Sequence, residues 1–331
     1  MSEKSPLLID QFLEDALEVD VDLVSDGENI LIGGIVEHIE GAGVHSGDSM
    51  GVLPPQRLSA KITDEIERIS RELCLSLKVI GHLNLQLAIK EDSVYVLEAN
   101  PRSSRSVPFV SKATGIPLVR LGMECMLGHR LYVNSNWRKN DVICVKGVVF
   151  PFKKFSEADI LLGPEMRSTG ESMGRSKKDE NGGAIFSEAL EKAFVGAGFQ
   201  IPTHGQVLLS LAEKDKKAAL ALALRLTQSG FQLIATTGTA QFLIKNNIKC
   251  STVNKVRQGR PHCVDIIQSG QVHLVINTTS GAKAISDSFG IRRNCVERNI
   301  PCLTEISAAD AFVQVLVSKS TGSSDIRVSS L

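Results

Sequence analysis

The first hundred residues alternate apolar and polar positions in a pattern that predicts four strands, a loop and a helix. Residues 17–36 alternate around an Asp-Gly turn, which favours a β-hairpin. A glycine-rich loop follows at 41–49, and two strands are predicted at 83–89 and 94–100 around a short polar turn. Between the loop and these strands, apolar residues spaced along one helix face predict an amphipathic helix. They are Ile62, Ile66, Ile69 and Leu73.

The middle of the chain has no single period. The pattern is helical from about 107 to 130 and polar over 131–142, and residues 144–152 predict another strand. The segment 166–185 is rich in glycine, serine and charge, so we expect a loop or a mobile boundary there.

In the last third of the chain, strands and helices alternate regularly. Apolar strands are predicted at 207–212, 231–236 and 272–278, with an Ala/Leu-rich helix at 215–228. This alternation predicts an open, mostly parallel α/β sheet. The polar residues 321–330 are expected to form a loose tail.

The composition predicts a globular chain with no bulk affinity for polyanions. Its 331 residues suffice for two or three domains, and 37 Lys and Arg balance 37 Asp and Glu. We therefore expect neither nucleic acid nor membrane as a partner. The N-terminus is polar, no apolar run approaches the roughly 18 residues of a membrane span, and the 7 cysteines are scattered without a CxxC pair. A cytoplasmic location with reduced thiols is expected.

Polar residues in the two strands that precede residue 101 are spaced to meet on one sheet face. A three-residue turn at 91–93 pairs Gln86 with Glu98 and Asn84 with Asn100, because side chains alternate with period two. A two-residue turn would separate these polar side chains. The opposite face is expected to carry the apolar residues Leu83, Leu85, Leu87, Tyr95 and Leu97.

Converging oxygen ligands beside two arginines suit metal-assisted phosphoryl transfer. Mg²⁺ takes carboxylate and amide oxygens and leaves positions for nucleotide phosphates and water. Arg102 and Arg105 follow Pro101, which ends the strand, and guanidinium groups bind phosphoryl oxygens. A plainer interpretation is also open, in which Glu98 and Arg102 merely pair on a solvated sheet face.

Four stretches of sequence carry a family resemblance. They are EVDVD (18–22), EHIEGAGVHSGDS (37–49), LEANPRSSRSVPFVSKATGIPL (97–118) and LLGPEMRSTGESMG (161–174). In this order they resemble the large chain of glutamine-dependent carbamoyl-phosphate synthase, and the resemblance runs from about Leu7 to about residue 318. It implies an α+β ATP-grasp half-domain followed by an α/β open parallel-sheet domain, Rossmann-like and similar to methylglyoxal synthase. The implied boundaries are 1–130 for the ATP-grasp half, 131–198 for a connecting extension, 199–320 for the allosteric domain and 321–331 for the tail.

The resemblance also implies roles for individual residues, with ATP and Mg²⁺ (or Mn²⁺) as cofactors. The implied catalytic residues are Glu98 and Asn100, which bind the metal together with Gln86, and Arg102 and Arg105, which hold the phosphorylated intermediate. By pattern alone, the loop glycines would be ordinary turn residues and the nearby histidines satisfied polar side chains. The implied nucleotide contacts are Gln11, Leu13, Glu18, Gly43, Val44, His45, Ser46, Gln86 and Glu98.

The implied activity is the phosphorylation of carbamate by ATP, which gives carbamoyl phosphate for pyrimidine and arginine synthesis. An ATP-grasp site lies between two subdomains and Met1 falls inside a domain, so the implied partners are the missing N-terminal part of the large chain and a glutaminase small subunit. We expect no activity of the chain alone. The other hypothesis is a non-catalytic nucleotide-binding regulatory fragment or remnant. A biotin-dependent carboxylase is disfavoured, because the residues after the Asn-Pro-Arg signature do not resemble that family.

The ends of two predicted strands in the last third suggest a phosphate site. TTGTA (236–240) opens a helix and NTTSG (277–281) ends the next clear strand, although Thr-Gly turns are also common without a ligand. The resemblance implies that uridine monophosphate binds here, as in bacterial members of the family. Methylglyoxal synthase chemistry is rejected, because its aspartate-bearing glycine-rich segment is replaced by NTTSGAKAISDS. The implied effector contacts are Lys216, Thr236, Thr239, Lys255, Asn277, Thr278 and Thr279.

Activation by ornithine, another family property, is expected to be lost or altered. Glu40 and Asp48 match two ornithine contacts of the family, and Thr304 matches a third. The family's glutamate falls at Gly147 and its tyrosine at Cys302.

Overall fold

The computed structural model describes residues 11–132, 142–176 and 185–320. It contains one antiparallel sheet and one parallel sheet. The strands of the first sheet are β1 (Leu17–Asp26), β2 (Ile30–His38), β3 (Gly51–Leu53), β4 (Ile80–Lys90), β5 (Ser93–Asn100), β6 (Cys144–Val149) and β7 (Gly170–Arg175). They pair antiparallel throughout, in the order β5-β4-β1-β2-β3-β6-β7. The α+β class predicted for the first half is confirmed.

The second sheet is parallel, as the alternation of strands and helices predicts. Its strands are β8 (Gln206–Ser210), β9 (Gln232–Thr236), β10 (Ser251–Val253), β11 (Val272–Asn277) and β12 (Cys302–Leu303). They lie in the order β10-β9-β8-β11-β12. The two edge strands have three residues and two residues, too few to give a recognisable hydrophobic pattern, and the sequence did not predict them.

Helices cover the faces of both sheets. They are α1 (Ala60–Ser76), α2 (Val107–Thr114), α3 (Leu118–Met126), α4 (Phe186–Gly196), α5 (Ala219–Gln228), α6 (Thr237–Lys245), α7 (Cys263–Gln268), α8 (Ala282–Arg298) and α9 (Ile306–Ser320). The hydroxyl of Ser59 caps α1 by accepting the N–H of Ile62 at 3.3 Å. The helical pattern predicted over 107–130 forms two helices, because Gly115 ends α2 with a φ of 71°. Within the described part of the chain, no helix is long and apolar enough to cross a membrane.

The glycine-rich segment predicted as a loop at 166–185 contains β7, so that interpretation was wrong for residues 170–175. Its glycines have a packing reason. A Cβ at Gly174 would lie 1.9 Å from the carbonyl oxygen of Ala189, so α4 packs directly on the backbone of this strand. The remainder, 177–184, lies outside the described residues, as do most of the predicted connector and the predicted tail.

One hydrophobic core joins the two sheets. Val145 of the first sheet and Leu209 of the second belong to the same buried cluster. Phe194 of α4 and Phe312 of α9 meet edge to face in it, with ring centroids 4.9 Å apart. The carboxyl ends of the parallel strands are thereby fixed relative to the antiparallel sheet.

Candidate functional site

The β4–β5 hairpin turns more tightly than the sequence analysis predicted. Its turn has two residues, Glu91 and Asp92, whose φ angles of 50° and 61° are both positive, as a type I′ turn requires. Lys90 therefore pairs with Ser93 and not with Val94. The predicted three-residue turn was wrong.

A β-bulge restores the predicted pairing of the polar residues. The register shifts by one residue at Leu97, so that Gln86 lies opposite Glu98 and Asn84 opposite Asn100. The polar set therefore shares one face despite the two-residue turn. The prediction assumed strict period-two alternation along β5 and did not include a bulge.

The apolar face of the hairpin was predicted only in part. Because the turn has two residues, Tyr95 lies opposite Ala88 on the polar side, and it is 42% exposed. The bulged Leu97 is 49% exposed, and Val94 and Ala99 pack against the core instead. The three β4 residues predicted to be buried, Leu83, Leu85 and Leu87, are buried.

The oxygen donors on this face fit a hard divalent cation. Gln86 donates its Nε2 to the Ser46 hydroxyl at 3.0 Å, which leaves its amide oxygen free. Within the described ranges, the Glu98 carboxylate makes no hydrogen bond or ion pair, and the buried Asn100 amide nitrogen has no partner. One carboxylate and two amides suit Mg²⁺. Across residues 11–132, 142–176 and 185–320, no group of three or more His, Cys, Asp and Glu side chains is placed to hold a metal ion.

The glycine-rich loop lies beside these donors. The Glu18 carboxylate accepts the N–H of Gly43 at 3.3 Å, where φ is 97°. Lys146 donates to the carbonyl oxygen of Ser46 at 3.0 Å, and the N–H of His45 donates to the carbonyl oxygen of Gly163 at 2.8 Å. The loop is therefore tied to β1, to β6 and to the segment before β7. The His45 Nδ1 accepts the N–H of Gly47 at 3.0 Å, and this bond keeps the His45 ring against the loop.

The remaining predicted nucleotide contacts flank this loop. The Phe12 ring lies against Gly43, 3.3 Å from where a Cβ would stand, and this brings its neighbours Gln11 and Leu13 alongside. Gln11 is exposed and Leu13 is half-buried, so both can meet a ligand. The Val44 side chain is only 7% exposed, so this residue offers the loop backbone to a ligand.

The predicted arginines follow directly on an exposed loop. Arg102 donates to the carbonyl oxygen of Ser103 at 3.3 Å, and Arg105 contacts the sulfur of Met166. Both side chains are exposed. Among the described residues no ion pair joins Arg102 to Glu98, which removes the plainer interpretation of this charge pattern.

Sequence reasoning missed a buried charged row on the same face. His38 lies between Asp20, 3.0 Å from its Nε2, and Glu18, 3.6 Å from its Nδ1. Burial, the largest effect, would lower the pKa of His38, but the charge of Asp20 and the hydrogen bonds to Asp20 and Glu18 together outweigh it and raise that pKa to about 9. Burial would raise the pKa of Asp20, and the His38 imidazolium lowers it instead. The predicted nucleotide contact Glu18 is thus backed by a cation.

Asp22 continues this row and is also buried. Burial raises its pKa to about 6, against hydrogen bonds from Ser104 and Ser106. The sequence held a usable signal for this row, since carboxylates at 18, 20 and 22 of one strand must share a face.

Most of the predicted effector contacts meet at the carboxyl edge of the parallel sheet. Thr278 accepts the N–H of Ala212 at 2.9 Å, and Thr239 accepts the N–H of Leu211 at 3.2 Å. The Thr236 hydroxyl donates to that of Thr239 at 3.5 Å. Asn277 is fully buried beside them and donates to the carbonyl oxygen of Ser210 at 3.3 Å.

Lys216 supplies a cation at the start of α6. Its ammonium pairs with Glu213 at 2.6 Å and lies 6.0 Å from the centre of the Phe242 ring. A Cβ on Gly238, in the first turn of α6, would be 3.8 Å from it. Lys255 and Thr279 make no hydrogen bond to this group in the described part of the chain.

A cavity of about 330 Å³ lies between the two sheets. Glu40, Asp48, Thr304 and Cys302 line it, so the structure brings the family's ornithine positions together, and burial raises the pKa of Glu40 to about 7. Position 147 cannot supply the family's glutamate. A Cβ at Gly147 would lie 2.4 Å from the Ser172 hydroxyl and 2.5 Å from the Ala193 carbonyl oxygen.

Comparison with known proteins gives two family matches. Residues 2–133 match the model for the carbamoyl-phosphate synthase L chain, ATP binding domain, and residues 218–304 match the MGS-like domain.

Two curated relatives match nearly the whole chain. The carbamoyl phosphate synthase large chain, C-terminal section, of Aquifex aeolicus is 42% identical over 96% of this chain and 61% of its own length. The carbamoyl phosphate synthase large chain of Neisseria meningitidis serogroup A is 45% identical over 94% of this chain and 29% of its own length. This chain therefore spans about three fifths of the first relative and less than a third of the second.

Among solved structures, the biotin carboxylase domain of a single-chain bacterial carboxylase superposes with a TM-score of 0.45. The identity is 12% over 56% of this chain and 48% of that chain, and this likeness is too weak to bear on function.

Proposed function

Since the chain belongs to the carbamoyl phosphate synthase large-chain family, we propose that it forms part of an ATP-dependent ligase that phosphorylates carbamate to carbamoyl phosphate. One observation carries the proposal. The hydrogen bond from Gln86 to Ser46 joins the oxygen donors of the β4–β5 hairpin to the glycine-rich loop. The proposed metal ligands and the proposed phosphate-binding loop are thus joined on one polar face, as phosphoryl transfer would require.

Gln86, Glu98 and Asn100 would hold Mg²⁺ or Mn²⁺ on this face. The bound cation would neutralise charge on the nucleotide phosphates. Their side chains supply hard oxygen donors and leave further coordination positions for phosphate and water. The loop at 43–46 would bind the phosphates through backbone N–H groups, and Glu18, backed by His38, would bind the ribose.

Arg102 and Arg105 would bind the phosphorylated substrate. Both arginines are exposed and follow directly after β5, the strand that carries Glu98 and Asn100. Catalysis by charge neutralisation and orientation needs no nucleophilic side chain.

The site would need the preceding section of a large chain to cover the nucleotide. The relatives are longer than this chain, and their additional length provides for such a section. We propose that the chain alone is inactive, that a glutaminase subunit supplies ammonia to the assembled enzyme, and that the assembly works in the cytoplasm for pyrimidine and arginine synthesis.

The carboxyl edge of the parallel sheet would bind uridine monophosphate as an inhibitor. Lys216 and the first turn of α6 supply positive charge for its phosphate, and Thr239 and Thr278 supply hydroxyls. Lys255 and Thr279 would join this site through the ligand. The response to ornithine would be lost or altered, since position 147 has no room for the family's glutamate.

The test is ATP formation from ADP and carbamoyl phosphate with Mg²⁺, measured for the purified chain alone and after addition of the preceding large-chain section. Activity only after the addition supports the proposal. Silence in both, alongside tight binding of uridine monophosphate, would replace it with the second hypothesis, a non-catalytic regulatory fragment. Silence without nucleotide binding would overturn both.

A further inference from the structure

Asp22 accepts hydrogen bonds from three side chains of the polar face. Asn84 donates its Nδ2 to Asp22 at 3.0 Å, Ser104 donates its hydroxyl at 2.6 Å, and Ser106 donates at 2.5 Å. The carboxylate is 1% exposed, so solvent does not compete for these bonds. Nothing proposed above for ATP, metal or effector uses this residue.

The two serines alternate with the two arginines on one short loop, residues 101–106. Ser104 and Ser106 turn inward to Asp22, whereas Arg102 and Arg105 point outward and are exposed. The serine hydroxyls also lie 2.8 Å from each other, so both inward positions are tied to one point of β1. The direction in which the loop presents its guanidinium groups therefore depends on that point.

The Ser106 hydroxyl bonds to Asp22 instead of capping its own helix. It stands at the N-cap of α2, where a serine side chain usually accepts an N–H of the first turn. No such bond is made, and its hydroxyl goes to Asp22. The tertiary contact has thus replaced the local one.

The same carboxylate also contacts β4, which pairs with the strand that carries a predicted metal ligand. Asp22 lies opposite Asn84 in the sheet register, and Asn84 lies opposite the predicted metal ligand Asn100. The backbone ladders of β1, β4 and β5 hold this row as well, so the loop, which belongs to no strand, depends most on Asp22.

We propose that Asp22 is a positioning residue, which holds loop 101–106 over the polar face so that Arg102 and Arg105 meet the phosphorylated substrate. The identity of the substrate in this inference rests on the proposed function. The effect of Asp22 on the loop rests on the hydrogen bonds alone. Asp22 touches no substrate itself.

The kinetic test compares Asp22→Ala with a matched control, Asp26→Ala, in the chain joined with the preceding large-chain section. Asp26 lies on the same strand but accepts backbone N–H groups of Glu28, Asn29 and Leu131, away from the loop. For Asp22→Ala we expect kcat to fall and the KM for carbamoyl phosphate to rise, each about tenfold or more, with the KM for ADP within about twofold. Asp26→Ala should lower the melting temperature and leave kcat and both KM values unchanged.

A hydroxyl swap supplies the conservative rescue and a milder perturbation. Ser106→Ala should reproduce the rise in KM for carbamoyl phosphate, and Ser106→Thr should keep the wild-type value, because threonine retains the donor. Equal effects of the two substitutions, or equal changes in the KM values for ADP and carbamoyl phosphate, would overturn the positioning role.

Hydrogen–deuterium exchange tests the loop without any turnover. We expect the amides of 102–106 to exchange about tenfold faster in Ser106→Ala and in Asp22→Ala, with β1 and β4 still protected. Unchanged exchange in this loop would refute the inference even if the variants were impaired. If the wild-type assembly made no ATP, the proposed function would fail, and the exchange result would still decide whether Asp22 holds the loop.

Discussion

Arg292 and Asp159 form a buried ion pair between the two sheets. The guanidinium Nε lies 2.6 Å from Asp159 Oδ1, and the Arg292 side chain is fully buried. Arg292 belongs to α8, and Asp159 belongs to the segment between β6 and β7. The same guanidinium donates to the amide oxygen of Asn277 at 3.1 Å. A predicted effector contact is therefore joined through one side chain to the antiparallel half of the molecule.

Removing the arginine of this pair should be costly. Arg292→Met leaves the Asp159 carboxylate without its cation in a largely buried place, and we expect the free energy of unfolding to fall by about 3–5 kcal/mol. Urea denaturation measures the change. The matched control is Arg257→Met, since Arg257 pairs with Asp287 at 2.9 Å but its side chain is 71% exposed, and its loss should cost less than about 1 kcal/mol. Similar losses for the two variants would show that burial does not strengthen the pair.

The sequence predicted those parts of the fold that local periodicity specifies. Period-two alternation gave β1, β2, β4 and β5, and the i, i+4 spacing of Ile62 and Ile66 gave α1. The face that Gln86 and Glu98 share was also predicted, although the turn beside it was not. A bulge adds one residue without leaving any hydrophobic signal, so the turn length could not be read from the sequence.

The remainder depends on contacts between distant residues. Asp159 and Arg292 are separated by 133 positions, and neither carries a pattern that points to the other. The glycines of β7 look like loop residues until α4 is packed on them. The buried row of Asp20 and His38 is different. Its carboxylates alternate along β1, which is a local pattern, but no prediction was made from them.

The metal-site assignment predicts a selective loss in Glu98→Ala. Phosphoryl transfer between carbamoyl phosphate and ADP in the assembled enzyme should fall at least about a hundredfold, because the one predicted carboxylate ligand is removed. Binding of uridine monophosphate to the parallel-sheet half should be unchanged. Glu91→Gln, at the exposed turn of the same hairpin, is the control and should retain activity. Full turnover by Glu98→Ala would refute the assignment.

The effector assignment predicts that Lys216 recognises a phosphate and not a base. Lys216→Met should weaken binding of uridine monophosphate about tenfold, because a charged contact to phosphate is lost, and should leave the weaker binding of uridine unchanged. Isothermal titration calorimetry with both ligands checks this. Lys217→Met removes an exposed neighbouring lysine and serves as the control. Equal weakening for uridine and uridine monophosphate would place Lys216 outside the phosphate site.

The raised pKa of His38 predicts that the fold loses stability as pH rises. Its pKa is about 9 in the folded chain and 6.5 as the ordinary value, because Asp20 and Glu18 favour the imidazolium against burial. A group whose pKa is raised on folding stabilises fully below its unfolded pKa, and this contribution disappears as pH rises through the folded pKa. The free energy of unfolding should therefore fall by about 2 kcal/mol from about pH 7 to about pH 8.5.

This pH window separates the histidine from the buried carboxyl groups, and the difference between variants separates it from the thiols. The raised pKa values of Asp22 and Glu40, about 6 and about 7, place their own losses of stability mostly at lower pH. Thiols of the unfolded chain, with an ordinary pKa near 9, begin to ionise at the upper end of this window, and because burial raises the thiol pKa values in the folded chain, they add a smaller decline to every variant. Urea midpoints at several pH values should show the full decline in the wild type and in His129→Gln, an exposed control, and a decline smaller by about 2 kcal/mol in His38→Gln. The same slope in His38→Gln would mean that the imidazolium between Asp20 and Glu18 does not stabilise the folded sheet.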